Sequence, residues 1–346
     1  MRVSTGFAGD GPGDWEGAAT YAVEAERLGV HTLWSAETWG IDALTPLAFI
    51  AARTTSIKLG TGIMQIGART PAMVAMSARG MASISGGRFI LGLGTSGPQV
   101  IEGWHGVPFD RPVQRTRELI EIVRMASRGD RLEYDGKTYQ LPLPRGQGRA
   151  IRPAGEPFDV PIYLASLGPR NLELTGELCD GWIGNSFIPE TADVFFDRLR
   201  AGAERSGRML ADLDLQVSVS VEFDDDVDEI TKRHARGYAF TFGAMGSRSD
   251  NFYLNAFAKQ GYADEGREIQ ALWLDGKRDE AADRVPLELA TRTNLLGTDD
   301  LIRQRLRVYR DAGVTTLRAF VRGSSIAERL ADLGRLIDLV NEVSAE

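Results

Sequence analysis

Cysteine occurs once in these 346 residues and histidine three times. A single thiol, Cys179, excludes an internal disulfide framework, and its apolar neighbours read as a buried sulfur. His31, His105 and His234 have none of the paired spacings of a metal site, so no metal is expected. Long apolar runs are missing too. No segment approaches the roughly 20 residues of a spanning helix, and Met1 leads into a strand-like segment without a signal-peptide core. Together these predict a cytosolic protein with no membrane partner. Positive charge is in deficit: the formal charge of −8 excludes a general basic face for nucleic acid or anionic lipid. A G-x-G-x-x-G fingerprint with an acidic partner in a first βαβ unit is also absent, which argues against a Rossmann dehydrogenase.

What the chain has in quantity is glycine, 39 residues, clustered at the ends of apolar segments within a globular composition of 43% hydrophobic residues. Lys58-Leu-Gly-Thr-Gly-Ile-Met-Gln-Ile-Gly-Ala-Arg-Thr-Pro-Ala72 runs from a strand through a glycine-permitted turn into a helix begun by Pro71, with Thr70 as its N-cap. The same grammar returns in Arg88 to Gly97 and in Val160 to Arg170. One such loop is explained by tight strand–helix packing. Three argue for parallel strands whose C-terminal ends meet at one face and share a site.

The remaining pattern fits an α/β fold, a (β/α)8 TIM barrel with insertions, formed by residues 1–346 as one domain. Strands are expected at 3–7, 32–35, 57–63, 89–93, 162–165, 181–184, 215–221 and 315–320. Helices alternate with them over 15–28, 46–54, 71–84, 115–126, 171–178, 191–206 and 298–312, and 326–343 closes the chain. The rhythm breaks twice. Between 129 and 160, Asp135-Gly136 marks a hairpin insertion. From 224 to 290 the chain is helical but too long for one barrel helix, so an insertion near 245–290 is expected as a cover over the site. Small and flexible residues on the second and third helices, Ala48, Ala51, Ala52, Ala72, Ala75, Ala78, Met73, Met76 and Met81, suit helix contact across a homodimer.

Several motifs carry a likeness: Ser35-Ala-Glu-Thr-Trp39, Ile57 to Ile63, Arg69-Thr-Pro-Ala72, Ser85 to Gly97, and Ala165-Ser-Leu-Gly-Pro169 followed by Asp180-Gly-Trp182. On these the chain resembles the luciferase-like monooxygenase superfamily, and within it the actinobacterial branch of oxidoreductases that use coenzyme F420, a deazaflavin carrying hydride at C5. The resemblance implies a bulge at the end of the third strand with a non-proline cis peptide at Gly62-Ile63, where Gly62, Ile63 and Met64 back the ring system. It further implies that Gly94, Thr95 and Ser96 line the ring or its ribityl chain. Ala165, Ser166, Leu167 and Gly168 would cradle the phosphate at a helix start, with a charge from Arg170 or Arg69.

Glu37 stands at the mouth of the second strand, either as a general acid/base or as an ordinary loop carboxylate. His105, in Glu102-Gly-Trp-His105, is either a proton donor near the ring or a packed, satisfied histidine. Trp39, Trp104 and Trp182 are expected to shape a pocket for a partly hydrophobic small-molecule substrate. Related sugar-phosphate dehydrogenases carry an Asp-His pair where this chain has Ala36-Glu37, which speaks against sugar-phosphate oxidation. The leading expectation is therefore F420-dependent hydride transfer. The alternative is a two-component monooxygenase using reduced FMN and oxygen with a reductase partner, and a third is a barrel that binds flavin without turnover.

Overall fold

The computed structural model describes residues 1–8, 13–245 and 251–346. Eight parallel strands form a closed ring: β1 (Arg2–Gly6), β2 (Thr32–Ser35), β3 (Lys58–Thr61), β4 (Phe89–Gly94), β5 (Ile162–Ala165), β6 (Gly181–Gly184), β7 (Asp214–Phe223) and β8 (Thr316–Val321). Each pairs with its sequence neighbour. The ring closes between β8 and β1, where Arg2 faces Thr316 and Thr5 faces Ala319. Strands buried on both faces carry near-continuous apolar or small residues, as in Phe-Ile-Leu-Gly-Leu-Gly of β4.

Alternation along each strand sends one set of side chains outward to the helices and the other inward. The outer set joins the helices in the main core, which contains Leu33, Leu59, Leu91, Leu93, Leu164, Val217 and Leu317. The inner set includes Trp34, Ile90, Tyr163 and Ile183. Large rings fit inside the barrel because neighbouring strands carry glycine. A Cβ on Gly60 would lie 2.3 Å from the Trp34 ring, and one on Gly181 would lie 2.6 Å from the Tyr163 ring.

Both insertions are present. The hairpin pairs Tyr134–Asp135 with Gln140–Leu141. Glu118 on the helix Pro112–Ser127 holds its turn by accepting from the amides of Lys137, Thr138 and Tyr139 at 2.7–2.8 Å. The second insertion follows the helix Val227–Gly243 with helices Phe252–Ala258, Ala263–Leu274, Arg278–Asp283 and Leu287–Thr293, and residues 246–250 lie outside the described residues. It has a core of its own around Phe242, Leu254, Phe257, Ile269 and Leu289. Gln260 fastens it to the barrel mouth after β6, accepting from the Ile188 amide and donating to the Ser186 carbonyl.

The structure departs from the sequence reading in places. A three-residue strand, Leu295–Gly297, extends the sheet beside the end of β7, and a short helix, Pro98–Ile101, follows β4. Both are too short to show a period. Ala51, Ala75, Ala78 and Met81 turn into the core, so they offer nothing to a second copy; Met73, Met76 and Ile84 are the exposed apolar residues of Pro71–Ile84. That helix begins as expected, with the Thr70 hydroxyl accepting from the Met73 amide.

Candidate active site

At the C-terminal end of β3 the ladder gains a residue. Gly60 faces Ile90 and Met64 faces Leu93, so four steps on one strand span three on the other, and Met64–Gln65 resumes the pairing. The peptide Gly62-Ile63 is cis. The Gly62 amide donates to the Ser35 carbonyl at 2.6 Å, and the Glu37 amide to the Ile63 carbonyl at 3.3 Å, which ties the bulge to the end of β2. The Ile63 side chain covers Gly94, where a Cβ would approach it to 2.9 Å. Gly94 thus leaves the space that Ile63 fills.

Glu37 is buried and holds three donors. Its Oε1 accepts from the Gln65 amide at 2.8 Å and from Arg69 Nη1 at 2.6 Å, while Oε2 accepts from the Ala43 amide at 3.1 Å. The carboxylate side chain is 8% exposed and the guanidinium 19%. A carboxylate so held is a clamp on the loops after β2 and β3. The expectation of a free general acid/base at Glu37 is corrected by this geometry, because two backbone amides and Arg69 take three of its roughly four acceptor sites.

Gln65, which the sequence reading passed over, connects the two catalytic candidates. Its Nε2 donates to the carbonyls of Glu37 and Thr38 at 3.1 and 3.0 Å. Its Oε1 lies 2.9 Å from His105 Nε2, and an amide oxygen only accepts, so His105 donates there and has Nδ1 open among the described residues. His105 is exposed on the loop after β4. Met64 is fully buried beneath the bulge.

Beyond β4, Thr95 and Ser96 are half-buried, with Ser96 in the left-handed region at φ 57°. Beyond β5, Ala165, Leu167 and Gly168 lead into the helix Pro169–Leu178, whose N-cap Gly168 provides no side-chain cap. The Ser166 hydroxyl is buried and shares a 2.8 Å hydrogen bond with Thr175 Oγ1, so it is committed within the protein. Arg170 is exposed.

The three tryptophans separate. Trp39 and Trp104 are 66% and 64% exposed on the loops after β2 and β4. Trp182 is wholly buried on the outer side of β6, packed against Phe187, Phe195 and Phe196, with Nε1 donating to the Ser166 carbonyl at 2.9 Å. Its assignment to a substrate pocket is therefore corrected. Alternation places Ile183, the next residue, inside the barrel and Trp182 under the helices.

A cavity opens beside the bulge, and Arg318 in its lining donates to the Gly62 carbonyl at 3.1 Å. It holds about 300 Å³ and is lined by residues at the ends of β1, β2 and β8, among them Phe7, Trp34, Ser35, Ile41, Arg318 and Phe320. Thr-Leu-Arg-Ala-Phe in β8 carried the missed signal: strand alternation puts Arg318 and Phe320 on the inward face. A charged residue at such a position is unusual.

The sequence model of luciferase-like monooxygenases matches residues 3–316. The chain belongs to the luciferase-like monooxygenase family. Among luciferase-like relatives, the Mycobacterium tuberculosis protein Rv3520c, named provisionally as a coenzyme F420-dependent oxidoreductase, is 37% identical over 328 residues, which covers 92% of this chain and 94% of that one. The 5,10-methylenetetrahydromethanopterin reductase of Methanolobus tindarius is 31% identical over 305 residues, covering 87% and 89%. In three dimensions the coenzyme F420-dependent tetrahydromethanopterin reductase of Methanopyrus kandleri superposes with a TM-score of 0.80 at 21% identity over 99% of both chains, which shows the shared luciferase-like barrel. Among the described residues no helix is long and apolar enough to cross a membrane.

Proposed function

We propose that this protein is an oxidoreductase that transfers a hydride between coenzyme F420 and a small, partly hydrophobic organic substrate. The observation that carries the reading is the layout of the barrel mouth. Glycine-rich loops after β3, β4 and β5 adjoin the aromatic cavity after β1, β2 and β8, and the two regions meet where Arg318 touches the Gly62 carbonyl. The relatives named for F420 favour it over FMN and the oxygen-dependent alternative.

The residues present fit a phosphate-bearing planar cofactor. The first amides of Pro169–Leu178 have no side-chain cap, and Arg170 beside them is exposed and free of ion pairs among the described residues. When bound, coenzyme F420 supplies or accepts hydride at C5 of its ring. Gly62 and Ile63 would back that ring, with Thr95 and Ser96 along its edge; Met64, packed in the core, and Gly94, covered by Ile63, would stand behind them. The chain's part is to orient the two reactants and exclude water. His105, with Nε2 committed to Gln65, offers Nδ1 for the accompanying proton. Trp39 and Trp104 stand on the rim to cover the substrate. A homodimer belongs to the same reading, supported by the exposed Met73, Met76 and Ile84 on one helix.

The test is a fluorescence titration of the purified protein with F420 and with FMN, each oxidised and reduced, on the parent and on Arg170→Glu. Micromolar or tighter binding selective for F420, weakened about tenfold by Arg170→Glu, fits a phosphate contact between charged groups. Preference for reduced FMN would overturn the reading.

A further inference from the structure

The floor of the cavity holds a cation with no counterion. Arg318 is 8% exposed, makes no ion pair among the described residues, and leaves Nε buried without a hydrogen-bond partner. Its Nη2 donates to the Gly62 carbonyl at 3.1 Å, and its guanidinium sits 5.9 Å from the Trp34 ring centroid and 5.2 Å from that of Phe320. Two other donors in the barrel interior are also orphaned: Trp34 Nε1 in the cavity wall and Gln216 Nε2, one layer deeper on β7. The interior is thus rich in donors and short of acceptors.

Burial without partners is costly for such groups, and a ligand that brings the missing charge and lone pairs removes that cost. Burial draws the Arg318 pKa down to about 10, so the group still carries its charge at neutral pH. The nearest competitor for an anion, Asp42 in the same wall, caps the helix Leu44–Ala51 by accepting from the amides of Leu44 and Thr45 at 2.8 and 2.9 Å.

We propose that Arg318 is the specificity-determining residue of the substrate cavity and that the substrate is a small carboxylate with a planar or apolar body. The fork of Arg318 takes the carboxylate, while Phe7, Trp34 and Phe320 enclose the rest. That this anion is the substrate rests on the hydride-transfer reading. That the cavity binds it does not.

Calorimetric titration of the cofactor-free protein with benzoate and with benzyl alcohol tests the assignment. Benzoate is expected to bind at least tenfold tighter than the alcohol. Arg318→Met should weaken benzoate thirtyfold or more. Arg318→Lys, which keeps the charge without the planar fork, should fall between, and it carries the test if the Met variant does not fold. Equal binding of the two probes, no benzoate binding, or benzoate binding unchanged in Arg318→Met would each overturn the proposal. Retained benzoate binding with no F420 binding would sink only the cofactor reading.

Discussion

Replacing Glu37 by Gln separates a structural clamp from a catalytic acid. Glu37 Oε1 serves two donors and Oε2 serves the Ala43 amide. A glutamine keeps one oxygen, so its NH2 must face either Ala43 N–H or the Arg69 fork, donor against donor. Arg69 also loses its countercharge at 19% exposure. Breaking a buried ion pair from one side costs about 3–5 kcal/mol, and the lower end applies because Gln retains one oxygen as acceptor. With an unfolding entropy of about 2.1 cal/mol/K per residue, 346 residues give about 0.7 kcal/mol/K, so a loss of 3 kcal/mol lowers the midpoint by about 4 °C. Calorimetry of Glu37→Gln, Arg69→Met and the double variant reads it. The double variant should be little worse than either single, since the second change removes a group already unpaired. A midpoint shifted by less than about 1 °C, together with kcat reduced a hundredfold, would refute the clamp and restore Glu37 as the proton carrier.

Two further outcomes follow from burial and charge. Trp182→Ala should cost about 3–5 kcal/mol in denaturant unfolding, because it empties a fully buried site among three phenylalanines. Trp39→Ala and Trp104→Ala, at exposed positions, should cost under about 0.5 kcal/mol, and the opposite order would refute the placement. Glu26 is pushed up by burial but pulled further down, to about 2, by the amides of Ile57, Ser56 and Thr55. Its folded-state pKa lies below the unfolded value, so its contribution is present above about pH 4.5 and is lost as pH falls toward 2. Discounted for solvent exposure, the stability gap between the parent and Glu26→Gln should be about 1 kcal/mol at neutral pH and shrink below about pH 4.5 in urea titrations.

Local chemistry made much of this protein legible in one dimension. Thr70-Pro71 declared a helix start, Asp135-Gly136 a hairpin, and the glycine-ended apolar runs a set of parallel strands, because each depends on backbone preferences of a few adjacent residues. The bulge at Gly62-Ile63 was expected from resemblance, and its physical counterpart is the glycine that lets Arg318 approach: a Cβ there would lie 2.8 Å from the guanidinium.

The roles of individual side chains were decided elsewhere. Whether Trp182 faces a substrate or three phenylalanines depends on one step of strand alternation, and a one-residue shift inverts it. Glu37 looked like a free carboxylate because its partners stand 6, 28 and 32 positions away in the chain. Arg318 sits 256 residues from the carbonyl it touches, and its lack of a counterion among the described residues is a property of the closed barrel. Sequence determined the elements and their order, since those follow from short-range sterics and periodicity. Tertiary structure alone decided which groups are paired, since burial and partnership depend on contacts between distant parts of the chain.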